Sequence, residues 1–121
     1  MPLELQIIRA SEFVRVNARE RLDFEASVKT LQTLALACRM RGLDRALLDL
    51  RSLPVPSKPQ FTTKELAALV SAFRRAGFSR EERLAILYST DVYGGVRTFA
   101  FLSRMGGLRV QAFAEFELAF Q

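Results

Sequence analysis

Apolar positions along this chain follow two different periods. Two runs, Ala46-Leu47-Leu48-Asp49-Leu50 and Leu84-Ala85-Ile86-Leu87-Tyr88, are almost continuously apolar, and each leads into a loop and then a stretch with helical spacing. Such runs suit strands buried on both faces, as in a parallel sheet with helices packed over it. Ahead of them, Leu3 to Arg9 and Glu12 to Ala18 predict two strands joined by a tight turn near Ala10-Ser11. The second alternates through Phe13, Val14, Arg15, Val16 and Asn17, the period of a half-exposed strand. An antiparallel hairpin is therefore expected to open the fold.

Between these strands the period lengthens to that of a helix. From Asp23 to Met40, apolar residues Phe24, Val28, Leu31, Leu34, Ala35 and Cys38 recur at steps of three and four. Asp23 is placed to cap this helix and Gly42 to end it. Cys38 falls on the apolar stripe, as a buried and inert thiol would. After the strand Arg45 to Arg51, a second helix is predicted from Thr63 to Ala76. Thr62 and Glu65 form a capping box at its start, with Leu66, Leu69, Val70 and Phe73 on its core face and Gly77 closing it. A strand from Arg83 to Ser89 follows, then a helix from Val96 to Met105 that Gly106-Gly107 terminates. A last strand, Leu108 to Phe113, and a short final helix from Glu115 complete the pattern. The expected class is α/β: one domain over residues 1–121, with a mixed, mostly parallel sheet, an N-terminal antiparallel hairpin and about four helices.

Composition narrows the chemistry. The chain has 121 residues, half of them hydrophobic, enough for one domain with its own core. No stretch approaches the roughly 18 consecutive apolar residues of a membrane helix. The N-terminus lacks a basic region followed by an apolar segment, and there is one cysteine, so a cytoplasmic location is expected. Histidine is absent, which removes the usual general base at neutral pH and the commonest metal ligand. Ser-His-Asp and Cys-His catalysis within the chain is excluded, and so are zinc and copper sites of ordinary composition. No cofactor or metal is expected. The net charge of +5 is carried mainly by arginines spread along the whole chain, without a basic block. A solvated basic surface follows from that spread, and nucleic acid is not expected as a partner.

Three places carry candidate chemistry. The loop Ser52 to Gln60 holds Pro54, Pro56 and Pro59 with Ser57, is extended and stiff, and starts at the carboxyl end of a predicted strand. Open α/β sheets present ligands and partners at that end. Phe61, Thr62 and Thr63 follow directly. Tyr93-Gly94-Gly95 precedes a helix in the same way and would let backbone approach a phosphate, although it is neither a dinucleotide fingerprint nor a P-loop. The helix carrying Val96, Phe99, Ala100, Leu102 and Met105 is apolar around much of its girth, which points to a homodimer contact ahead of an apolar pocket at Phe99, since a chain this short leaves little room for a cavity of several hundred cubic ångströms.

The order strand-strand-helix-strand-helix-strand-helix-strand-helix resembles the STAS-like domains, and among them the SpoIIAA-like relatives of anti-sigma factor antagonists. Arg45-Ala46-Leu47-Leu48-Asp49-Leu50-Arg51 is similar to the family's third strand, and Leu84-Ala85-Ile86-Leu87-Tyr88-Ser89-Thr90-Asp91 to its fourth strand and loop. Tyr93-Gly94 through Phe101, with Gly107 through Phe113, looks like its glycine-started helix and final strand. The resemblance implies a bacterial, non-enzymatic regulatory module that binds another protein through residues 52–63. It also implies a phosphoacceptor at the start of the helix after the third strand, where this chain offers Thr62 and Thr63. The fold's relation to lipid carriers suggests the alternative, a carrier or sensor of a small apolar or anionic ligand. A response-regulator receiver is excluded because Ile7-Ile8-Arg9-Ala10 lacks the acidic pair that its chemistry needs.

Overall fold

The structure, a computed structural model, describes residues 3–8, 13–18, 23–53, 59–91 and 93–114. Five strands form one sheet in sequential order: β1 (Leu3–Ile8), β2 (Phe13–Ala18), β3 (Arg45–Asp49), β4 (Arg83–Leu87) and β5 (Arg109–Phe113). β1 and β2 pair antiparallel, while β2, β3, β4 and β5 run parallel. Helices α1 (Phe24–Arg41), α2 (Thr63–Arg75) and α3 (Gly95–Met105) make the three crossovers. The turn expected near Ala10-Ser11 and the final helix expected from Glu115 lie outside the described residues, so three helices stand where about four were expected. Among the described residues no helix is long and apolar enough to cross a membrane.

Right-handed crossovers between strands that advance in one direction put every helix on the same face of the sheet. Packing follows that rule: α2 lies between α1 and α3. Alternate strand residues Val14, Val16, Ala46, Leu48, Leu84, Ile86 and Val110 meet Leu31, Leu34, Leu66, Leu69, Phe73 and Phe99 of the helices in one core. Phe73 and Phe78 stack with ring centroids 4.1 Å apart, folding the turn after α2 back onto that core. The opposite face carries a smaller cluster of Leu47 and Leu87 with Ala85 and Phe113.

Strand and helix ends have local causes. β3 stops at Asp49 rather than continuing to Arg51, because the Asp49 carboxylate accepts from the Arg51 backbone N–H at 3.0 Å and turns the chain. Asp23 caps α1, accepting from Ala26 N at 2.7 Å, and Gly42 ends it in the left-handed region at φ 65°. The Thr62–Glu65 box caps α2. α1 leaves Leu36 and Met40 on its outer side, and Cys38 is buried.

Candidate functional site

A cleft of about 270 Å³ opens at the carboxyl ends of β3 and β4. Its floor is apolar: Leu48 and Ile86 come from neighbouring strands, Leu31 from α1, Leu66 and Leu69 from α2, and Phe99 from α3. The loop after β3 and the approach to α2 add Leu50, Leu53, Pro59, Gln60, Phe61 and Thr63 along one side. The segment after β4 adds Tyr88, Ser89, Thr90 and Asp91 on the other, with Tyr93, Gly95, Val96 and Thr98 at the start of α3. Ser27 and Thr30 close the wall from the first half of α1.

A chain this short is expected to leave little room for a cavity of several hundred cubic ångströms, and the cleft stays below that size. All three helices begin at this end of the sheet, and the segments leading into α2 and α3 leave the sheet on either side of the gap. The described residues leave the floor between them open. Its volume lies at the lower edge of the usual range for ligand pockets.

Residues singled out in sequence converge here from distant segments. Phe61, Thr63, Tyr93, Gly95 and Phe99 all border the cleft. Phe99 is buried at 6 % exposure and belongs to the core as well, so it does not face outward from α3. The outer side of that helix carries Phe101 and Met105 instead. Gly94 sits at the N-cap of α3 with φ 71°, a left-handed conformation that favours glycine. Thr62 is exposed and does not line the cleft, and its hydroxyl is already engaged: it accepts from Glu65 N at 3.1 Å while Glu65 Oε1 accepts from Thr62 N at 2.9 Å. Pro54, Pro56 and Ser57 lie outside the described residues.

Charge at the cleft is spent on the fold itself. The carboxylate of Asp91, 7 % exposed, accepts from Val96 N at 3.1 Å and Arg97 N at 3.0 Å, and it also pairs with Arg97 Nε at 3.0 Å. That arrangement caps α3, whose own N-cap glycine has no side chain. Asp23 does the same for α1 and Thr62 with Glu65 for α2. Each positive helix end at this pole of the molecule therefore carries its own acidic cap, which leaves little electrostatic pull for an anionic ligand. The polar groups left open to the cleft are neutral. Ser27 is nine-tenths buried, and its hydroxyl makes no hydrogen bond among the described residues.

Asp49 and Cys38, whose titration the fold shifts, lie away from the cleft lining. Burial would raise the Asp49 carboxyl, but hydrogen bonds from Arg51 and Arg15 outweigh it and hold the group down to about 2. Arg15 Nη2 lies 2.7 Å and Arg51 Nη2 2.8 Å from Asp49 Oδ2. Burial pushes the Cys38 thiol up to about 12, with the negative charges of Glu82 and Asp44 adding to it, so it stays protonated and unreactive at neutral pH.

Sequence reasoning missed Ser27 and Thr30, polar positions outside the apolar stripe of α1, and Leu48 and Ile86, which read as strand core. No protein-family model matches this chain, and no curated protein matches it either.

Proposed function

We propose that this domain works by binding, as a carrier or sensor of a small, largely apolar molecule with a neutral hydrogen-bonding group. One observation carries the proposal: the cleft of about 270 Å³ at the carboxyl ends of the parallel strands, apolar at its floor. Open parallel sheets hold ligands at that end. The capped helix ends favour an uncharged ligand, and the open Ser27 hydroxyl offers it one hydrogen bond. Binding is preferred to turnover because the Asp91 carboxylate on the cleft wall is committed to α3 and Arg97. A chain of this kind suits the STAS-like resemblance and a cytoplasmic bacterial setting, which belong to the same proposal.

Titration with an environment-sensitive apolar fluorophore tests the cleft. The protein should bind it saturably, and Thr98→Trp, which fills the mouth from the half-buried start of α3, should abolish the signal at unchanged circular dichroism. Equal binding by Thr98→Trp would overturn the assignment.

A second reading, a phospho-regulated contact with another protein, rests on Thr63. It is exposed, lies on the rim and opens α2, and its side chain takes no part in the capping box, so phosphate there would leave the box in place. Phosphate on Thr62 would instead break the capping box and face the Glu65 carboxylate. Regulation at Thr63 would act on the same cleft, with or without a homodimer.

A further inference from the structure

The sequence scatters its arginines, and the fold gathers them at the end of the sheet opposite the cleft. Arg45, Arg83 and Arg109 are the opening residues of β3, β4 and β5, and strand pairing puts them in one rung, Arg45 beside Arg83 and Arg83 beside Arg109. By alternation they share the face of Leu47 and Leu87, away from the helices, and all three are exposed. Adjacent strands lie about 4.8 Å apart, so three guanidinium groups are anchored across about 10 Å. None of the three side chains makes an ion pair or hydrogen bond among the described residues.

Like charges opposed across a sheet destabilise it, and no packing at these exposed strand ends calls for arginine. A local rule broken without compensation inside the chain marks a site compensated from outside. Arginines at the last turns of α1, α2 and α3 add to the positive field of this end. The helix dipole accounts for those, but not for the rung. Of the helix-end arginines, Arg104 donates to the Val110 carbonyl of β5 at 3.2 Å, and one further cation, the Arg80 guanidinium, packs over Gly107. Asp44, Glu81 and Glu82 are the carboxylates of the adjoining described loops, and they are outnumbered. The described lysines, Lys29 and Lys64, lie toward the other ends of their helices.

An all-arginine cluster suits phosphate, which the planar guanidinium binds through two parallel hydrogen bonds. A protein partner would want an apolar anchor at the centre of the contact. Among the described residues, the large exposed apolar side chains, Leu36, Met40, Tyr93, Phe101 and Met105, belong to helices or to the turn before α3, and none lies on this sheet face. Among the described residues the rung also lacks an exposed aromatic on which single-stranded bases would stack. We propose that this end of the domain docks on the phosphate backbone of a nucleic-acid duplex, without reading bases. The proposal is independent of the cleft and its ligand.

Fluorescence anisotropy with a labelled DNA duplex of arbitrary sequence, measured across a salt series, tests it. Three phosphate contacts give a slope of about −2.7 in log affinity against log salt. Arg83→Ser/Arg109→Ser should bring that slope toward about −0.9 and weaken low-salt binding by about tenfold or more. Lys29→Ser/Lys64→Ser removes the same charge elsewhere and should leave the affinity within about twofold. All four positions are exposed, so circular dichroism should match the parent. Equal losses in the two variants would reduce the effect to net charge and overturn the proposal. An absence of duplex binding would do so too, including the case where a labelled oligoglutamate peptide binds instead and the partner is an acidic protein.

Discussion

Asp49 sits at the end of β3 with two arginines closed over its carboxylate, Arg15 from β2 and Arg51 from the following turn. Its folded pKa of about 2 lies below the ordinary carboxyl value of 3.8, so ionised Asp49 stabilises the fold. The sign follows from linkage: the contribution is complete above about pH 4 and disappears as pH falls toward 2. The difference corresponds to on the order of 2 kcal/mol. Asp49→Asn should therefore lose about that much at pH 7 and show a flatter stability profile between pH 4 and 2, as measured by urea unfolding. Ser103 offers the opposite case. Its hydroxyl is fully buried on α3 and has no hydrogen-bond partner among the described residues. Ser103→Ala should stabilise the protein by about 1 kcal/mol in the same unfolding experiment, since a buried unpaired hydroxyl costs about that much or more.

At the scale of elements, the ends of the helices organise the cleft. The capping box at α2 fixes where Phe61 and Thr63 stand on the rim, and Asp91 fixes the entry into α3. Thr62→Ala should cost about 1 kcal/mol of stability in thermal or urea unfolding, the usual loss for a removed N-cap. Local caps of this sort are legible in sequence, because the partners lie three residues apart: Asp23 with Ala26, and Thr62 with Glu65. The Asp91 cap was not, since it reaches over five and six residues through a left-handed glycine to Val96 and Arg97. Apolar periodicity located every described strand and helix to within one or two residues, because core-facing positions repeat whatever the neighbours are.

Whole-molecule features were legible only in part. Phe61, Tyr93 and Gly95 stood out as loop residues at carboxyl ends of predicted strands, but nothing local says that both loops border one gap. That depends on β3 and β4 being neighbours and on all helices sharing a face. The arginine rung is legible only once register is known: Arg45, Arg83 and Arg109 are widely separated in sequence and adjacent in the sheet. The architecture thus separates two ends, an apolar cleft where the helices begin and an arginine-rich pole where they finish. The most direct test of the binding account is native mass spectrometry of the protein recovered gently from its own host. The account predicts a small bound molecule, released by organic solvent and absent from Thr98→Trp. Protein carrying no small molecule, or the same added mass on Thr98→Trp, would contradict it.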